Sequence, residues 1–141
     1  MDFAQQRLKL QQLVKERQQG DEAAQAQRAQ GRLTARERVN QLLDPASFVE
    51  MDAFADGGNA VCGYGLVNSR PVFVIAQDTE SAQGAMSQAQ ARKMLKTLDL
   101  AEKSEAPVVL FPDSAGALVQ EGAPMLASYA RVFARLARLS G

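Results

Sequence analysis

Four apolar residues, Val108 to Phe111, break off at Pro112-Asp113-Ser114 and are followed by Ala115-Gly116-Ala117 and then Leu118-Val119-Gln120-Glu121-Gly122. No other stretch limits the fold as strongly. The apolar run has the length and composition of a buried strand, and the proline that ends it opens a turn. The small residues that follow leave the backbone uncovered. Their N–H groups could point into a cleft at the start of the next helical segment, where backbone amides bind negative charge. Two readings stay open from these residues alone. One is an oxyanion hole, with donors aimed where charge develops on a thioester or similar carbonyl. The other is an ordinary tight strand-to-helix turn.

The 141 residues, 46% of them apolar, suffice for one globular domain with a core. Sixteen basic and sixteen acidic residues cancel, so the overall charge points to neither a nucleic-acid nor a membrane-surface partner. The single cysteine, Cys62, forms no internal disulfide and fits a reducing compartment. No signal peptide or membrane-length apolar run is visible, and a cytoplasmic location is expected. The chain has no histidine, which removes the Ser-His-Asp and Cys-His devices and the commonest metal ligand. Chemistry, if present, must rest on backbone amides or carboxylates, and no metal is expected.

Residues 1–30 are rich in Gln, Ala and Arg, with a thin apolar stripe of Phe3, Leu10, Leu13 and Val14 interrupted at Gly20. They read as an exposed helical extension, and residues 31–141 as the ordered domain. Thr34 and Glu37 have capping-box spacing ahead of a short helix with Val39, Leu42 and Leu43 on one face, ended by Asp44-Pro45. Arg36 and Arg38 are either solvated or placed to meet a phosphate. Ser47 to Met51 alternates like a short strand, and Asp56-Gly57-Gly58-Asn59 reads as a turn. Ala60 to Val67 and Pro71 to Gln77, separated by Asn68-Ser69-Arg70, predict an antiparallel hairpin. Gly63-Tyr64-Gly65 lacks the third glycine and the strand-to-helix setting of a dinucleotide site, which is rejected. Ser87 and Gln90 suggest a second capping box, ahead of a helix over about 86–104 with Met94, Leu95, Leu98 and Ala101 on one face. Pro124 suits the first turn of a last helix whose face is Leu126, Tyr129, Val132, Phe133 and Leu136. Hairpin, helix, strand and helix make an α/β plan with the sheet covered by helices. Because that plan stops short, the isolated chain is expected to fold poorly or to oligomerise through uncovered edges and its last helix face.

Several of these segments also resemble a known family. Gly31-Arg32-Leu33-Thr34-Ala35-Arg36-Glu37-Arg38, followed by Leu42-Leu43-Asp44-Pro45-Ala46-Ser47-Phe48-Val49-Glu50, is similar to the opening of the beta-type carboxyltransferase subunits of biotin-dependent acyl-CoA carboxylases and decarboxylases. Gly63-Tyr64-Gly65, Gln77-Asp78, Gly84-Ala85-Met86-Ser87, Ala91-Arg92-Lys93, Ala106-Pro107-Val108, Asp113-Ser114-Ala115-Gly116-Ala117 and Gln120-Glu121-Gly122 follow in that family's order. The resemblance covers about residues 31–141. It implies the N-terminal part of a crotonase-like (ClpP-like) α/β domain and transfer of a carboxyl group between carboxybiotin, carried by a partner domain, and an acyl-CoA. It implies Gly116 and Ala117 as amide donors to the thioester oxyanion, with Ser114 and Ala115 in the CoA-binding turn and Arg36, Arg38 and Lys93 toward the CoA side. Biotin carboxyl carrier and biotin carboxylase components are the implied partners, in a homo- or hetero-oligomer.

The chain departs from the family pattern at Ala115, where glycine is common, at Leu118, where arginine is common, at Ala82 and Gln83, and in a shorter segment between Glu50 and Gly63. Members of the family continue several times further and bind biotin in a second domain, so the isolated chain is expected to be inactive. The alternative is a non-catalytic scaffold that keeps the fold and binds a larger subunit through its helical N-terminus. A plain acyl-CoA hydratase or hydrolase is less well supported, because no catalytic carboxylate pair can be placed.

Overall fold

The computed structural model describes residues 2–19, 22–55, 59–79 and 82–140. The chain divides into two compact units, Met1–Arg32 and Leu33–Gly141. The first holds helices α1 (Phe3–Gln19) and α2 (Glu22–Ala29). Phe3, Leu8 and Leu10 are exposed, so the described part of the apolar stripe buries little. The Leu13 and Val14 side chains, Gly20, and most of the expected turn at Asp56-Gly57-Gly58 lie outside the described residues.

The second unit opens with α3 (Ala35–Leu42). Its capping box is complete: Glu37 N–H donates to Thr34 Oγ1 at 3.3 Å and Thr34 N–H to Glu37 Oε2 at 2.8 Å. Strands β1 (Val49–Glu50), β2 (Ala60–Val67) and β3 (Arg70–Gln77), helix α4 (Gln88–Lys103), strand β4 (Val108–Phe111) and helix α5 (Ala123–Leu139) follow. The sheet order is β1-β2-β3-β4. β1–β2 and β2–β3 pair antiparallel, whereas β3 and β4 pair parallel because α4 carries the chain back between them.

Period-two alternation sorts the strands onto two faces. Ala60, Cys62, Ile75, Val108 and Leu110 meet Met94, Leu98, Met125 and Val132 of α4 and α5. Val61, Val72, Val74, Ala76, Val109 and Phe111 meet Ala35 and Val39 of α3 and the adjoining Leu43. Ile75, Leu98 and Met94 are at most 2% exposed, each contributing about 1.5–3 kcal/mol by burial. Gly63 and Gly65 sit inside β2 on the α3 face. A Cβ on Gly63 would overlap Val49 O, and one on Gly65 would come 2.7 Å from Leu43 Cδ1. These glycines admit close packing.

The structure refines four expectations. The 47–51 strand shrinks to Val49–Glu50. The hairpin turn is two residues, Asn68 and Ser69, both at positive φ, with their N–H groups held by the Asp44 carboxylate at 3.0 and 2.8 Å. Val108 to Phe111 form the expected strand but are half-buried, because β4 is an edge of the sheet among the described residues. On α5, Val132 is buried against α4 and the sheet, while Leu126 and Phe133 are exposed.

Candidate functional site

The chain leaves β4 at the carboxyl ends of the two parallel strands, beside the N-terminus of α4. Crevices at that end of parallel strands are where α/β folds present ligand-binding loops. The 113–118 turn is fastened at both ends. Upstream, Asp113 N–H donates to Gln77 Oε1 at 3.1 Å and the Asp113 carboxylate accepts from Arg38 Nη2 at 2.9 Å. Downstream, Met86 forms an isolated parallel bridge with Ala117. Met86 N–H donates to Gly116 O at 2.7 Å, and Leu118 N–H donates to Met86 O at 2.9 Å. Between the two ends, Ala115 N–H donates to Gln83 O at 3.0 Å.

This bonding decides which amides are available. In a parallel bridge the flanking residues supply the bonds, so the N–H of the central residue points to the opposite side. Ala117 is that central residue. Among the described residues its N–H donates no hydrogen bond. Gly116 N–H is engaged within the turn, donating to Ser114 Oγ at 3.1 Å, and Ser114 Oγ also donates to Gly116 O at 3.2 Å. Gly116 adopts φ 109°, a left-handed conformation that favours glycine, and nothing lies within 4 Å of where a Cβ would be. Ser114 and Ala115 are exposed, and Gly116 and Ala117 half-buried. The turn thus presents open backbone on a fixed frame.

The basic residues are placed otherwise. Arg36 makes a two-pronged pair with Glu50, Nη1 to Oε2 at 2.7 Å and Nη2 to Oε1 at 2.9 Å. Arg38 is committed to Asp113. Lys93 is 5% exposed and donates from Nζ to Ala60 O at 2.6 Å, inside the domain and not on the open face of the turn. The α4 N-terminus carries anionic compensation from the chain itself: Gln88 N–H donates to Glu121 Oε2 at 2.7 Å. Among the described residues no group of three or more His, Cys, Asp and Glu lies close enough to hold a metal ion.

One side chain behind the turn is placed differently from what its capping-box spacing suggests. Gln90 completes only half of the expected second capping box. Its N–H donates to Ser87 Oγ at 3.0 Å, but its carboxamide is turned into the core, where Nε2 donates to Asn59 O at 2.6 Å. Its Oε1 accepts from Gln77 Nε2 at 3.4 Å. The signal was a polar residue at helical spacing from Met94 and Ala101, on a face that is otherwise mostly apolar.

The chain matches the carboxyl transferase domain over residues 26–141. It is 40% identical over 136 residues to the propionyl-CoA carboxylase beta chain of Cereibacter sphaeroides, covering 86% of this chain and 27% of the relative. Against the mitochondrial propionyl-CoA carboxylase beta chain of Homo sapiens it is 41% identical over 138 residues, covering 86% and 26%. Among solved structures, transcarboxylase 12S, described as a hexamer with hydrolysed methylmalonyl-coenzyme A bound, superposes with a TM-score of 0.85 at 33% identity, over 93% of this chain and 29% of that one. The chain therefore spans about a quarter of the length of the curated relatives it matches. The fold is that of the crotonase-like carboxyltransferases. With the residues matched and the sheet, helices and turn in place, the chain belongs to the carboxyl transferase domain family.

Proposed function

We propose that this chain provides the acyl-CoA side of a biotin-dependent carboxyltransferase, with the backbone amides of the 116–117 turn stabilising a thioester enolate. The observation that carries the reading is the Ala117 N–H, turned away from the Met86 bridge on a turn fastened at both ends. A rigid amide aimed at a carbonyl oxygen costs no reorganisation when negative charge develops there. Loss of CO2 from a carboxylated acyl group, or of a proton from an uncarboxylated one to the biotin nitrogen that has released CO2, leaves an electron pair that moves onto the thioester oxygen. Ala117 N–H is the principal donor to that oxygen. Gly116 N–H joins it when Ser114 Oγ is displaced. In the forward direction the enolate carbon attacks CO2 and the pair returns to form the new C–C bond. Carboxybiotin, a substrate delivered by a partner domain, supplies the CO2. Arg36, Arg38 and Lys93 hold the scaffold.

The test compares amide spectra of the 15N-labelled chain titrated with propionyl-CoA and with CoA. The Ala117 amide should shift with the thioester and not with CoA. In a chimera placing residues 33–141 within a propionyl-CoA carboxylase beta chain, Ala117→Pro removes the donor while sparing the Met86 bonds. It should lower turnover at saturating propionyl-CoA by about a hundredfold with a far smaller change in CoA affinity. Ala115→Gly should be nearly silent. Identical Ala117 shifts with both ligands, or unchanged turnover in folded Ala117→Pro, would place the oxyanion donors elsewhere.

The exposure of Leu126 at 65% and Phe133 at 58% on α5 favours a second reading, in which the unit acts as a scaffold for a larger subunit. A compact monomer in sedimentation with no mass change on adding that subunit would remove it.

A further inference from the structure

Gln77 and Gln90 are 5% and 0% exposed, and they form a directed chain of hydrogen bonds. Asp113 N–H donates to Gln77 Oε1 at 3.1 Å, Gln77 Nε2 to Gln90 Oε1 at 3.4 Å, and Gln90 Nε2 to Asn59 O at 2.6 Å. Each carboxamide has only one orientation that satisfies its neighbours, since the Asp113 N–H requires an oxygen and the Asn59 carbonyl requires a donor. Burying two carboxamides is a poor route to stability, because each unpaired group costs about 1–3 kcal/mol and apolar residues would fill the same space. The terminus of the chain of bonds supplies another reason for them. It ends on the first backbone donor of the 113–118 turn.

We infer that Gln77, oriented by Gln90, is a positioning residue that sets where the Gly116 and Ala117 amides sit. The inference rests on the reading of that turn as the thioester site. The downstream end is held by Met86, so displacing Asp113 swings the amides about that bridge. The four linked groups are two carboxamides and two backbone amides, none of which titrates, so the position of the turn is independent of pH through this network.

The experiment uses the full 15N-labelled chain and three variants. Gln77→Met removes the link at similar volume, and Gln90→Met removes only its orienter. In both, amide exchange at Asp113 should accelerate at least tenfold and the Gly116 and Ala117 resonances should move, while core amides of Val74 and Leu98 keep their protection. Gln77→Glu separates positioning from packing. Its introduced carboxyl accepts from Asp113 N–H, but its second oxygen faces Gln90 Oε1, so only the protonated form reproduces the native bonds. Burial and the carboxylates of Asp78 and Asp113 raise that group's pKa, while Lys93 on Ala60 O and Arg38 on Asp113 lower it. The Gly116 and Ala117 resonances should be native-like at low pH and depart as pH rises, with no such titration in the native chain or in Gln77→Met. Unmoved Gly116 and Ala117 resonances in Gln77→Met, or shifts no larger than those of Leu100 and Ala101 at the far end of α4, would overturn the inference. So would a pH-independent Gln77→Glu spectrum. These outcomes are read without ligand, so they separate from the thioester reading, which falls if the native Ala117 amide ignores propionyl-CoA.

Discussion

Gly84→Ala places a single methyl group between the 82–84 turn and the 113–118 turn. Gly84 is buried at φ 72°, and a Cβ there would overlap Asp113 O and lie 3.3 Å from both Asp113 C and Ser114 Cα. Alanine in the left-handed region costs about 1–2 kcal/mol. The overlap adds about 1–3 kcal/mol, because the neighbour is backbone that Gln77 and Arg38 hold. The sum is about 3 kcal/mol. With a urea m-value of about 1.5–2 kcal/mol/M, the unfolding midpoint should fall by roughly 1.5–2 M. The chain has no tryptophan, so unfolding is followed by far-ultraviolet circular dichroism and tyrosine fluorescence. Gly116→Ala is the control within the same unit, since its φ of 109° is also left-handed but its Cβ meets nothing within 4 Å. It carries the backbone cost alone. A Gly84→Ala midpoint no lower than that of Gly116→Ala would refute the packing argument and detach the two turns from one another.

Burial pushes the Cys62 thiol up from 9.0 to about 11, against the opposing pull of the Lys93 ammonium and the Thr97 hydroxyl. Because the folded value lies above the unfolded one, its stabilisation is full below about pH 9 and is lost as pH rises toward 11. Chemical denaturation should show a decline of roughly 3 kcal/mol over that window that is absent in Cys62→Ala, and iodoacetamide at neutral pH should label Cys62 only when the domain unfolds. Glu121→Ala removes the carboxylate that accepts the Gln88 N–H at the start of α4. It should cost about 1 kcal/mol and lower the melting temperature by about 4 °C, and an unchanged melting temperature would show that this cap is solvated without cost.

The sheet and its covering helices were legible because their signals are local. The strand-like runs Ala60 to Val67 and Pro71 to Gln77, the apolar spacing of Met94, Leu98 and Ala101, and the Thr34–Glu37 box each act within a few residues. What was not legible depends on partners far away in sequence. Val108 to Phe111 were legible as a strand, but their half-burial follows from β4 being an edge. Arg36 and Arg38 read as exposed cations whose targets a local pattern cannot supply, because Glu50 and Asp113 reach them only after the chain has folded. Lys93 shows the same limit. The resemblance implies it toward the CoA side, and no local pattern announces that Ala60 O accepts its ammonium in the interior.

The site divides along the same line. A turn of small residues after a strand announces exposed amides, but not which of them is spent internally. That choice is made by Met86, which lies about thirty residues upstream and bonds Gly116 O and Leu118 N–H, turning the Ala117 N–H outward. A slip of one residue in this bridge would reverse the choice, pointing Ala117 N–H at Met86 and leaving Leu118 N–H free. The register is resisted on both sides. Gln77 and Arg38 hold Asp113 upstream, and downstream the Glu121 carboxylate is bound to the first turn of α4. In the proposed thioester site the donor is therefore chosen by the polar contacts that hold the turn, through residues that the proposal does not place against the thioester.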